Sequence, residues 1–320
     1  MFGSGVPAVL SLLPDTFTFA WLVAILFAVA WLLDSRGLAA GRSLAAGTWA
    51  LFGLFWLSTV PYFAFEHQSY VESILALVGV PACMYAGYLL YNGRASLFTL
   101  TRAIAIMLFI YLPFETIPAF TLGGVAFPEP RRILIEIVAT QTGMLIDLLG
   151  YAPERVASSE GYNAAYLWTL DDGHTYRIDI VLACTGLGSM AIFGGLVAAV
   201  EAPLRRKIRG LAVSVSLIYV LNILRTTFIS VVAGNQYMQW YPDLVLAMFG
   251  ASDPYRVSFL ISDRIMSQLL AVVALIGITF LVVRELPELA VILEDVLYLL
   301  TGDEHDLTEA LDLPREPTNR

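Results

Sequence analysis

Hydrophobic positions in this chain fall in long unbroken runs rather than in the one-sided patterns of soluble helices and strands. A helix needs about 20 apolar residues to cross a bilayer core of about 30 Å. Runs near that length occupy Phe17–Leu33, Leu44–Phe65, Val71–Tyr91, Ala103–Phe120, Ile180–Val200, Leu211–Val232 and Ile265–Val283. An eighth stretch, Ile133–Leu149, contains Glu136, Gln141 and Asp147 and reads as an amphipathic segment lying in the membrane interface. The pattern predicts an all-α polytopic membrane protein of seven to eight transmembrane helices.

Between the fourth and fifth runs lies a long insertion, residues 121–179. Within it, Ala164–Leu170 and His174–Val181 are Tyr- and Ile-containing and flank Asp171-Asp172-Gly173, a turn in which Gly permits positive φ. The expectation is a small β-hairpin leading into the span that holds Cys184. Beyond Val283 the character changes: Leu286–Leu300 suits a surface helix, and Thr301–Arg320 is polar and acidic. This divides the chain into a transmembrane catalytic domain, residues 1–284, and a cytoplasmic amphipathic helix and acidic tail, residues 285–320.

Loop charges set an expected orientation. Arg36, Arg42, Arg94, Arg102 and the cluster Arg205-Arg206-Lys207-Ile208-Arg209 mark cytoplasmic loops under the positive-inside rule. Seven spans then place the N-terminus outside, the insertion outside and the C-terminus inside. Arg131 and Arg132 in the outer insertion run against the rule.

Composition reinforces the membrane reading. Of 320 residues 58% are hydrophobic and only 14% charged, where soluble domains carry about 25%. That excludes an ordinary cytosolic enzyme, a secreted disulfide scaffold and a nucleic-acid binder. Residues 285–320 hold ten acidic residues against two arginines, so they carry −8 of the net −9. Lys207 is the sole lysine beside 17 arginines, a bias that a high-salt host or a GC-rich genome would favour. Cys83 and Cys184 lie in different runs, so spacing motivates no disulfide. Met1–Pro14 lacks a basic n-region, and no cleavable signal is expected.

Charged residues within spans are costly and point to function. Arg225 sits about eight residues, roughly 12 Å, below the outer end of its helix, and Arg264 opens the final span at the same level. Cys184 lies just inside the outer end of its own span, in Ala183-Cys184-Thr185-Gly186-Leu187. Gly186 and Gly188 permit close backbone approach there. Two guanidiniums cannot act as bases, but they can stabilise a thiolate and hold the oxyanion of a tetrahedral intermediate. The set therefore fits thiol acyl transfer. His174, ten residues before Cys184, is a possible proton shuttle, with Asp179 and Asp263 as other proton sources. His67 and His305 lie in other loops. No cofactor and no metal is expected, since His-Glu-x-x-His is absent and Asp-Asp-Gly reads as a turn. A serine intramembrane protease is disfavoured, because Gly188-Ser189-Met190 is not a Gly-x-Ser-Gly nucleophile and no span contains histidine. The main alternative is a non-enzymatic membrane transporter or binding protein with Arg225 as an anion site.

The Ala-Cys-Thr-Gly-Leu stretch, Asn222-x-x-Arg225 in the next span and a basic residue starting the last span resemble the exosortase/archaeosortase family. Many exosortases carry histidine at the third position; Arg264 resembles the archaeosortase A branch of haloarchaea. The resemblance implies a membrane-embedded, sortase-like cysteine transpeptidase. It implies substrates that are surface proteins, notably the S-layer glycoprotein, ending in a Pro-Gly-Phe motif, an apolar helix and a basic tail. It further implies transfer of the cleaved protein to a membrane lipid. Carried over by motif, Cys184 would be the nucleophile, Arg225 and Arg264 would complete the catalytic set, and Asn222 would be accessory.

Overall fold

The structure, a computed structural model, describes residues 15–66 and 69–310. The expectations for Met1–Pro14, His67 and the end of the acidic tail lie outside the described residues. The helices are α1 (Thr16–Ser35), α2 (Ala40–Pro61), α3 (Tyr70–Tyr91), α4 (Leu97–Thr116), α5 (Pro130–Leu148), α6 (Leu187–Ala199), α7 (Leu204–Gly234) and α8 (Pro242–Phe249). The last long stretch starts as α9 (Val257–Phe259), passes through a π-helical segment, Leu260–Ser267, and runs on as α10 (Gln268–Glu285); α11 (Ala290–Thr301) follows. Among the described residues, six helices are long and apolar enough to cross a membrane: α1, Ala40–Glu66, α3, α4, α7 and Pro254–Glu285. The chain is a multi-pass membrane protein.

Several expected boundaries shift for local reasons. The expected span Ile180–Val200 is α-helical only over the 13 residues of α6, because Gly186 adopts φ +75 and breaks the helix just after Cys184. The run Ala103–Phe120 begins earlier and stops at Thr116, since Pro118 pushes Ile117 out of the helical region. Phe120 instead starts β1 (Phe120–Leu122), which pairs with β2 (Val125–Phe127) across Gly123-Gly124. Both glycines have positive φ, as a two-residue hairpin turn demands. Arg264 does not open the last span: helical structure begins ten residues earlier, at Pro254.

The chain divides into two compact units. The first contains α1–α4, Ala191–Ala212 and the described residues from Leu281 on. In it, α2 packs against α1 and α3 around a cluster of aromatic rings, with Phe27 5.3 Å from Trp49 and 5.8 Å from Phe52. Small residues let the backbones close: a Cβ on Gly87 would lie 2.7 Å from the carbonyl oxygen of Ala46.

The second unit, Ile117–Met190 with Val213–Phe280, holds the sheet. The expected hairpin is present as β4 (Ala165–Thr169) and β5 (Thr175–Asp179), antiparallel in the register Thr169↔Thr175 to Ala165↔Asp179. Gly173 in its turn has φ +80. A third strand, β3 (Glu154–Val156), pairs on the other side of β4. Two side chains that share one face of β4 anchor the sheet. Tyr166 donates from its hydroxyl to the carbonyl of Ala139 on α5, and Trp168 lies so close to α7 that any Cβ at Gly234 would collide with the indole. The chain leaves β5 through Ile180, which is buried, and enters the turn that carries Cys184.

Candidate active site

Cys184 stands in a 3-10 turn, Leu182–Thr185, packed against α5. The turn closes on itself: the Cys184 amide donates to the Val181 carbonyl at 2.8 Å, and Thr185 Oγ1 donates to the Leu182 carbonyl at 2.7 Å. Gly186 follows with positive φ, and its missing side chain is needed for a second reason. A Cβ there would sit 3.2 Å from Cβ and Cγ of Asn222. Asn222 thus approaches closely enough to donate from Nδ2 to the Cys184 carbonyl; Thr226 Oγ1 lies 3.3 Å from the same oxygen and has the Asn222 carbonyl nearer, at 2.9 Å.

Helix α7 supplies these contacts by its 3.6-residue repeat. Tyr219, Asn222 and Thr226 are spaced three and four apart and share one face. The first of them donates from its hydroxyl to Gln141 Oε1 on α5 at 2.5 Å. Arg225 belongs to the same turn of helix. Its Nη2 donates to Asp263 Oδ1 at 2.7 Å, and the second oxygen of Asp263 lies 3.4 Å from Nε of Arg264. One carboxylate therefore serves two guanidiniums, and all three side chains are largely withdrawn from solvent, at 30%, 13% and 14% exposure for Arg225, Asp263 and Arg264. Cys184 is half-buried and within electrostatic reach of Asp263, whose charge opposes that of Arg225 and Arg264. Nε of Arg225 is buried and has no hydrogen-bond partner, an arrangement that costs stability unless something else fills it.

Of the residues singled out from sequence, Cys184, Asn222, Arg225, Asp263 and Arg264 form this one cluster. Two do not join it. The His174 ring is stacked on Tyr255 at 3.7 Å between centroids, and Asp179 accepts the Ser159 amide at 2.9 Å while facing Nε of Arg177 at 3.0 Å. Near His174, the Tyr255 hydroxyl donates to Asp172 Oδ2 at 2.7 Å. That bond, helped by the His174 amide, holds the Asp172 carboxyl below its ordinary value. An open cleft of about 500 Å³ lies beside this hairpin tip, lined by Asp171, Gln239 and Pro254 among others; Cys184 is not among its lining residues. Sequence reasoning missed Thr226, although its position four residues after Asn222 was the signal available. Among the described residues, no group of three or more His, Cys, Asp or Glu side chains is placed to hold a metal ion.

The family model described as transmembrane exosortase matches residues 13–252. Cys184 and Arg225 lie within that stretch; Asp263 and Arg264 lie beyond it. Archaeosortase A of Haloferax volcanii is 54% identical over 294 residues, covering 92% of this chain and 97% of that protein. Archaeosortase A of Natronomonas pharaonis is 44% identical over 303 residues, covering 92% of each. No solved structure matches significantly.

Proposed function

Because the chain belongs to the transmembrane exosortase family, we propose that it is a membrane archaeosortase, a cysteine transpeptidase acting on the C-terminal sorting signals of surface proteins. The observation that carries this reading is the convergence on one turn. The Cys184 carbonyl is held by Asn222, and the same helix presents Arg225 with a buried, unpartnered donor. An unpaired buried donor costs stability, and a reaction that generates negative charge beside it would supply the missing partner.

In this reading Cys184 is the nucleophile. Its thiolate adds to a backbone carbonyl of the substrate, the C–S bond forms and the π pair moves to oxygen. Arg225 and Arg264 hold that oxyanion. Collapse breaks the C–N bond, and the amine of the C-terminal peptide leaves with the proton the thiol gave up. A nucleophilic group of a membrane lipid then attacks the thioester and restores the thiol. Limiting water at this depth favours transfer over hydrolysis. The substrates are surface proteins such as the S-layer glycoprotein, with a Pro-Gly-Phe motif, an apolar helix and a basic tail. The site faces the extracytoplasmic side and the C-terminus the cytoplasm. A transporter with Arg225 as a bare anion site fits less well, since Asp263 already neutralises part of that charge.

The test is Cys184→Ala in a host lacking its own copy, following the C-terminus of a Pro-Gly-Phe surface protein by intact mass. Retention of the C-terminal helix and loss of the lipid-sized mass are expected. Normal processing would remove the cysteine from the reaction, and Arg225 would then be pursued as a transport or binding residue.

A further inference from the structure

Arginine and aspartate meet in the π-helical segment Leu260–Ser267 for a geometric reason. A π turn is wider than an α turn, with i→i+5 bonding, and usually appears only as a single-turn bulge near functional sites. Here it extends over eight residues. The wider turn brings consecutive side chains nearer in azimuth, so Arg264 Nε can lie 3.4 Å from the carboxylate of its own neighbour, Asp263. The segment is held in place by Leu260 and Ile261, which are buried with Val257, Val245 and Phe249, and by Ser262, whose hydroxyl donates to the Ser258 carbonyl at 2.7 Å.

Two guanidiniums close together repel, and the repulsion grows in a medium of low dielectric constant. A carboxylate between them removes that repulsion and fixes both orientations. It also divides the donors. Asp263 takes Nη2 of Arg225 end-on, not in the two-pronged pairing that would engage Nε as well. Nε–H is thereby left buried and unpaired.

We propose that Asp263 is a positioning residue of the reaction: its carboxylate, shared by Arg225 and Arg264, orients both guanidiniums and reserves Nε–H of Arg225 for the substrate oxyanion. It touches no reacting atom, and with both oxygens facing guanidiniums it is an acceptor rather than the source of the leaving-group proton. The inference rests on the reading of Cys184 as nucleophile.

The experiment compares Asp263→Asn, Asp263→Glu, Arg264→Gln and the double variant Asp263→Asn/Arg264→Gln with Cys184→Ala. The full-length enzyme is purified in detergent, folding is checked by monodispersity, and kcat and KM are measured on a peptide carrying the Pro-Gly-Phe segment and apolar helix. Asp263→Asn is expected to lower kcat about 10²-fold, the cost of misplacing a catalytic group by about 1 Å, with KM nearly unchanged. Asp263→Glu restores part of the rate, because the charge is kept. Adding Arg264→Gln to Asp263→Asn costs little more, because the two act as one unit. A wild-type kcat in Asp263→Asn, a loss confined to KM, or fully additive losses in the double variant would each overturn the inference. Should Asp263→Asn not accumulate, Asp263→Glu carries the test, and a wild-type kcat there overturns it. Failure of both to fold would assign Asp263 to folding alone. If Cys184→Ala still processes the peptide, the reading of the site itself falls. If Cys184→Ala is inert while Asp263→Asn runs at full rate, only the inference about Asp263 falls.

Discussion

Arginine and carboxylate meet in two clusters of this protein, one in each compact unit, and the same groups are used in opposite ways. In the first, Arg94 gives Nε to Asp295 at 2.7 Å, Nη1 and Nη2 to Glu304 at 2.8 and 3.2 Å, and lies 3.9 Å over the ring of Tyr298. Every nitrogen of the guanidinium is engaged, and carboxylates outnumber the cation. In the second, Arg225 has one hydrogen bond, at 2.7 Å, its Nε is orphaned, and cations outnumber the carboxylate. A guanidinium with a hydrogen bond at every nitrogen fixes α11 to the loop between α3 and α4. One with a donor to spare, beside a second arginine and a thiol, is equipped to receive negative charge that appears only during a reaction.

Arg225→Lys keeps the charge but loses the planar fork, and the processing rate should fall about 10²- to 10³-fold, the cost of one oxyanion donor. A wild-type rate would show that the spare donor has no role. Arg94→Ala should do the reverse. It leaves Asp295, 2% exposed, without its cation, so stability should fall by about 3 kcal/mol. The rate per folded molecule should be unchanged. Thermal unfolding in detergent and a turnover assay normalised to folded protein separate the two effects.

The smallest effect is a pH dependence confined to the first cluster. The hydrogen bond from Arg94 lowers the Glu304 carboxyl below its ordinary 4.5. A group lowered in the folded state contributes stability that is present above its unfolded value and lost as pH falls through the folded one. The apparent Tm should therefore decline slightly as pH drops below about 4.5, and Glu304→Gln should flatten that part of the profile. A profile unchanged by Glu304→Gln would mean that the pair is too solvated to matter.

The contrast also separates what was legible in sequence from what was not. The long helices were legible because about 20 apolar residues in a row have few other uses. Cys184, Asn222 and Arg225 were legible because each sits in a short local motif, and the β4–β5 hairpin because its turn chemistry is local. The third strand, Glu154–Val156, was not: three residues carry no pattern, and their pairing with Ala165–Leu167 is set by contacts elsewhere. Ser262-Asp263-Arg264 looked like the polar edge of a span, since a hydropathy reading cannot tell a boundary from a polar patch that faces another helix. The π segment was equally hidden, because i→i+5 bonding leaves no periodic mark in an eight-residue run. His174 was drawn in by its nearness to Cys184 in sequence, yet its ring is held by Tyr255, 81 positions away. Side-chain pairing at that separation is decided by the fold.

An acyl intermediate on Cys184, formed in the spare-donor cluster, can be trapped. Hydroxylamine, a small nucleophile that captures thioesters, tests for it most directly when added during turnover of purified enzyme with a Pro-Gly-Phe peptide. Mass analysis of the new C-terminus should find the hydroxamate, formed by wild-type enzyme and absent with Cys184→Ala. A free carboxylate alone, produced at the same rate by wild-type and Cys184→Ala enzyme, would remove Cys184 from the reaction.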